Sequence, residues 1–217
     1  MEQHSSIDRG GIFGNFWAYL LGPNISNREL TVSLVPTLVA TVVIPLYCYY
    51  DYYWRAQEVV WYQLLLIGFL SFDLIGGAIV NACESTKAWH HRRDKKYHFT
   101  FVAVHLHPFL VAWALGGGHF YYDASVAYIY VLAATLTILH SPSELKPPVT
   151  VVMYLISLAL TCKLFQGVEA VSWVLPTYYL KLLLCYLTPP TVRDTQDDGA
   201  NRLLTTGITS HVDKLST

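Results

Sequence analysis

The chain has 217 residues, of which 53% are hydrophobic and 13% charged, and its formal net charge is −1 with histidines neutral. Its mean hydropathy is +0.36, whereas a soluble domain usually carries about 25% charged residues. The composition argues against an ordinary soluble domain, and the near-neutral charge argues against a nucleic-acid partner, which needs a basic surface. An integral membrane protein is the reading that remains.

In chain order, a polar arm leads into an aromatic and aliphatic stretch at 12–21, about half a span long and read as interfacial. The start lacks the basic region of a secretory signal. A turn follows at 22–27, where Asn24, Ile25 and Ser26 match the short N-glycosylation acceptor pattern. Six apolar runs then read as spans at about 31–50, 59–82, 98–115, 124–139, 149–165 and 168–187. An aromatic cluster at 47–54 closes the first, as suits a membrane interface. The expected fold is an all-α bundle of about six transmembrane helices with short loops. It divides into a cytoplasmic arm at 1–30, a membrane domain at 31–188 and a polar tail at 189–217.

The basic residues orient this layout. Arg9, Arg28, Lys87, Arg92, Arg93, Lys95, Lys96, Lys146, Arg193, Arg202 and Lys214 fall on one side, and Arg55 and Lys163 on the other. Eleven against two places both termini in the cytoplasm. The remaining cation, Lys181, falls within the last span and is read as snorkelling. Cys48, Cys83, Cys162 and Cys185 have no metal-type CxxC spacing and read as small packing residues.

The polar residues that matter lie between residues 71 and 108, which hold five of the nine histidines. Asp73 stands nine residues before Ala82, about 13 Å below the cytoplasmic end at about 1.5 Å per residue. A lone carboxylate at that depth costs several kcal/mol and is expected to face a partner inside the bundle. On a regular helix Asp73, Gly77, Glu84 and, if the helix runs on, His91 share one face, with Asn81 about 80° away. On the next span His98 and His105 share a face, while His107 points away from His105 unless Pro108 kinks the helix. His105 and His107 reach the depth of Asp73, so Asp73 is expected to meet one or the other, and Asp73 with His105 is the central pair of the enzyme reading below.

Each residue also has a plainer role. Asp73 can serve as a hydrogen bond between helices, and His90 and His91 can be interfacial anchors beside Trp89 and Arg92. Glu84 can pair with Lys87. His140 lies on the same side of the membrane as the site and can join it.

Three function classes fit this pattern. The first is a membrane-embedded enzyme acting on a lipid, isoprenoid or similar apolar substrate by acid–base chemistry of the cyclase, isomerase or lyase type. Asp73, Asn81, Glu84, His91, His98, His105 and His107 are its candidate catalytic residues, with no cofactor required. The second is a metalloenzyme, an oxygenase or hydrolase, in which these histidines and carboxylates hold zinc or iron. The third is a proton-coupled transporter or binding protein that uses the same groups as a relay. A haem held by His105 and His140 is a weaker variant of the second. The expected partners are membrane lipids and a hydrophobic small molecule.

Overall fold

A computed structural model of the protein describes residues 25–54 and 60–190. The expected arm, the interfacial segment at 12–21, Asn24 of the glycosylation pattern, Arg55 and the tail from 191 onward lie outside the described residues. Among the described residues every regular element is helical, and no strand occurs.

The helices are α1 (Asn27–Trp54), α2 (Trp61–Leu70), α3 (Gly76–Ala82), α4 (Glu84–His90), α5 (Lys95–Ala103), α6 (His107–Leu115), α7 (Gly118–His140), α8 (Lys146–Thr161) and α9 (Val174–Tyr179). A π-helical turn at Ser71–Ile75 joins α2 to α3, and a second, Leu180–Tyr186, continues α9. Five stretches are long and apolar enough to cross a membrane: Asn27–Tyr50, Trp61–Ala82, Lys95–Leu115, Gly118–His140 and Ser143–Thr161. Four of them start three to six residues from the expected positions, and the second starts two residues late.

The expected sixth span is not one regular helix. It consists of a 3-10 turn at Glu169–Val171, then α9 and its π-helical continuation. It is also the most enclosed segment, with Tyr178, Tyr179, Leu182, Leu183 and Tyr186 all essentially inaccessible. A segment apolar on every side belongs in the middle of a bundle. Here it packs against α3, α8 and α7.

The outside of the bundle is apolar as well. Val32, Val39, Val42 and Leu46 on α1 and Leu155 on α8 are each more than half exposed. Inside lie Ser33, Thr37, Asn81, His98, His107 and Lys181, all buried. That inversion of the soluble pattern is what a bundle solvated by lipid requires.

The third span is interrupted. Pro108 has no N–H to give to the carbonyl four residues earlier, so α5 stops at Ala103 and α6 starts afresh at His107. The carbonyls this break would orphan are recovered by tyrosines of neighbouring helices. Tyr128 Oη donates to the Ala103 carbonyl at 2.6 Å and Tyr178 Oη to the His105 carbonyl at 2.9 Å. At its far end α6 closes on Gly116, whose φ of +72° is the left-handed conformation that favours glycine at this position.

Candidate functional site

Asp73 occupies the π-helical turn between α2 and α3, and Lys181 the π-helical turn after α9. Such turns insert an extra residue into the helical ladder and rotate the side chains around it, and they recur at functional sites. Lys181 Nζ donates to Asp73 Oδ2 at 2.6 Å, and His107 Nε2 lies 2.7 Å from the same oxygen. Lys181 and His107 are almost fully enclosed, with side chains 3% and 8% exposed, whereas the Asp73 side chain is 33% exposed. The carboxylate is therefore the open face of the cluster and the two nitrogen groups are its support.

Two glycines make room for this arrangement. A Cβ on Gly77 would overlap the end of the Lys181 side chain, so the lysine stem lies directly on the α3 backbone. A Cβ on Gly76 would come within 2.7 Å of Thr37 Cγ2, so α1 and α3 also approach closely.

The open face of Asp73 looks into a cavity of about 510 Å³ between α1, the α2–α3 segment and α5. Asn81, His105 and Lys181 share its lining with Asp73, while Leu34, Phe72, Phe101 and Val104 give it apolar walls. Leu34, Phe72 and Val104 also face outward, at 38%, 39% and 65% exposure, so the cavity opens sideways through the apolar surface of the bundle. Its other end reaches His90 and Tyr97 beside the basic loop.

The two histidines of the α5–α6 break are held in different tautomers. His105 Nδ1 lies 2.6 Å from the Phe101 carbonyl, which only accepts, so the ring proton is on Nδ1 and Nε2 carries the lone pair. His107 donates through Nε2 to Asp73, and its Nδ1 is buried with no hydrogen-bond partner. The rings lie 5.4 Å apart, because the break at residues 104–106 turns His107 back toward the side of His105.

The expected Asp73–His105 pair is thus replaced by Asp73 with His107 and Lys181, and His105 is a neighbour rather than the direct partner. Lys181 does not snorkel. Asn81 lines the cavity with its Nδ2 buried and unpartnered. Glu84 lies past a break at Cys83, whose extended ψ of 132° ends α3, so the face shared by Asp73 and Gly77 does not continue to it. It sits 3.8 Å from Lys87 and does not line the cavity.

His91 and His98 belong to a separate cluster around Tyr186. His91 Nε2 lies 3.1 Å from the Tyr186 carbonyl and His98 Nδ1 lies 3.1 Å from the Tyr186 hydroxyl, with the two rings 5.0 Å apart. Burial, more than the nearby Lys146, His90 and Lys87, lowers the proton affinity of His91, and the Tyr186 carbonyl partly offsets this. His140 is exposed and bonded to the Leu136 carbonyl of its own helix. Among the described residues no three His, Cys, Asp or Glu side chains converge as the ligands of a metal ion would.

Lys181, Thr37 and Tyr178 belong to this region without being among the residues expected there. Lys181 carried a usable signal. It lies six residues before Leu187, about 9 Å inside by the same rise that placed Asp73, and two opposite charges at similar depth are best satisfied by each other. Comparison with protein-family models, with curated proteins and with solved structures finds no match for the chain.

Proposed function

We propose that the protein is a six-span integral membrane enzyme with both termini in the cytoplasm. It acts on a lipid, isoprenoid or similar apolar substrate by acid–base chemistry at the Asp73 cluster. The observation that carries this reading is a carboxylate, backed by an ammonium and an imidazole, at the polar end of an apolar cavity with a lateral mouth. Cavities of this size with apolar walls and a few convergent polar groups are the usual form of small-molecule sites. Buried intramembrane charges at such a place favour function over mere cohesion.

In this reading the substrate enters sideways from the bilayer, past Leu34, Phe72 and Val104. His105 Nε2 takes a proton from a carbon next to an activating group. Lys181 supplies a proton through Asp73, and His107 holds the carboxylate in place. Removing a proton at one position and returning it at another is the chemistry of an isomerase or cyclase, and its loss with a leaving group is that of a lyase. Asn81 orients the substrate.

The test is a lipid and isoprenoid conversion screen by mass spectrometry on detergent-purified protein, with the Asp73→Asn and His105→Ala variants in parallel. Conversion by the native chain that both variants lose, while both still insert and purify, is the expected result. Conversion that persists undiminished in Asp73→Asn overturns the assignment of the site. If no lipid is converted but proteoliposomes take up protons in an Asp73-dependent way, the cluster is a relay and the protein a transporter.

A further inference from the structure

Lys181 is the only described lysine placed deep among apolar residues, and a hydrogen-bonding role for Asp73 does not require it. A neutral donor would support the carboxylate at lower desolvation cost, since breaking or building a buried ion pair involves several kcal/mol per ion. What an amine adds is nucleophilicity. We propose that Lys181 captures an apolar aldehyde or ketone from the cavity as an imine, so that the substrate class of this site is a long-chain carbonyl compound. This inference rests on the reading of the cavity as a substrate site.

The geometry supplies each requirement of the step. The amine must lose a proton before it attacks, and the Asp73 carboxylate that would take it is 2.6 Å away. That transfer turns an ammonium–carboxylate pair into a neutral amine and a carboxylic acid, a change that an apolar enclosure favours relative to water. Lys181, although its side chain is only 3% exposed, lines the same cavity as Asp73 and His105, so a carbonyl that enters between Leu34, Phe72 and Val104 reaches the amine beside the open carboxylate. The glycine at position 77 lets the lysine stem lie against the α3 backbone, which leaves the amine at the carboxylate rather than extended toward the basic loop.

The step balances without a further reactant. The neutral amine forms a C–N bond to the carbonyl carbon as the C=O π bond opens, and a proton moves from nitrogen to the new alkoxide. The resulting carbinolamine loses its hydroxyl as water, using the proton held on Asp73. The product is an iminium whose counter-ion is the Asp73 carboxylate, so total charge is unchanged from the starting ammonium and carboxylate. The iminium withdraws electrons from the adjacent carbon, which makes the proton there removable by an imidazole base. Water returned to the iminium releases the carbonyl and restores the ammonium.

The experiment is reductive trapping on the full-length, detergent-purified chain with hexadecanal and cyanoborohydride, followed by peptide mass mapping. It needs no turnover, so it is read separately from the conversion screen. The expected result is an alkyl adduct on Lys181 that forms roughly tenfold faster than adducts on the exposed Lys95 and Lys96 of the same molecule. Glyoxylate, which is small and charged, is expected to label Lys95 and Lys96 but not Lys181. Asp73→Asn is expected to slow labelling of Lys181 without changing that of the exposed lysines. The internal comparison uses the native protein, so it stands even if a variant at Lys181 fails to fold. Labelling of Lys181 no faster than of Lys95 and Lys96 overturns the proposal. If that result accompanies lipid conversion lost in Asp73→Asn, the imine falls and the acid–base reading survives.

Discussion

Lys181 Nζ and Asp73 Oδ2 meet at 2.6 Å although 108 residues separate them, and each sits in a π-helical turn. A regular helix repeats its faces every 3.6 residues, and an inserted residue rotates everything beyond it. The two insertions therefore act on the pair itself, where a small rotation decides whether the groups touch.

The pair predicts non-additive stability. Lys181→Met leaves the carboxylate with His107 alone, and Asp73→Leu leaves an ammonium enclosed at 3% exposure. Loss of one partner of a buried pair costs about 3–5 kcal/mol, whereas replacing both with apolar groups is often close to neutral. Thermal or denaturant unfolding in detergent should find the Lys181→Met/Asp73→Leu double variant more stable than either single variant. Strictly additive losses would place the two groups too far apart to interact.

The two glycines of α3 predict different failures. Gly76→Ala forces a methyl to within 2.7 Å of Thr37 on α1. Overpacking of this kind costs about 1–3 kcal/mol, and Thr37→Ala, which removes the two atoms of closest approach, should restore most of it. Gly77→Ala instead meets the flexible end of Lys181, so the helix can stay while the lysine moves. Its signature is loss of conversion and of Lys181 trapping with a smaller change in melting temperature.

Much of the helical layout is legible in the sequence because apolar runs of this length form helices long enough to cross a membrane. The place of Asp73 along its helical run, nine residues before Ala82, is legible for the same reason, since counting residues along a run needs no knowledge of its neighbours. Helix phase is not. A shared face from Asp73 to His91 requires one regular helix, and the π-helical turn at Ser71–Ile75 and the break at Cys83 each reset the phase. Glu84 and His91 left the shared face for that reason. Pro108 did mark an interruption, but the direction of the turn depends on which helices recover the freed carbonyls, and that is a tertiary fact. The apolar run at 168–187 reads as a single helix because hydropathy does not distinguish α from π geometry.

That recovery of carbonyls can be measured. Tyr178 is fully buried and its hydroxyl bonds to the His105 carbonyl. Tyr178→Phe keeps the ring and removes only the donor, leaving a buried acceptor unsatisfied at a cost of about 1–3 kcal/mol. If the bond also fixes the path of residues 104–106, the variant should impair conversion more than a comparable loss of stability elsewhere, such as Tyr130→Phe, whose hydroxyl bonds to the Met153 carbonyl away from the cavity. Equal effects on activity at equal stability would make Tyr178 a general brace and not a positioning residue.

The loop end predicts a pH dependence whose sign follows from His91. Burial lowers its proton affinity in the folded protein, with the Tyr186 carbonyl as a partial offset. The unfolded chain, with an imidazole pKa of about 6.5, then binds more protons than the folded one once the pH falls below that value. The contribution of His91 to stability is therefore complete above about pH 6.5 and declines as the pH falls toward the lower folded value. Melting temperature in detergent should drop between about pH 7 and pH 5. His91→Gln keeps a side-chain N–H for the Tyr186 carbonyl but cannot titrate, so it should flatten part of that slope while leaving the neutral-pH value nearly unchanged. A slope identical in the native chain and His91→Gln would assign the acid sensitivity to other groups.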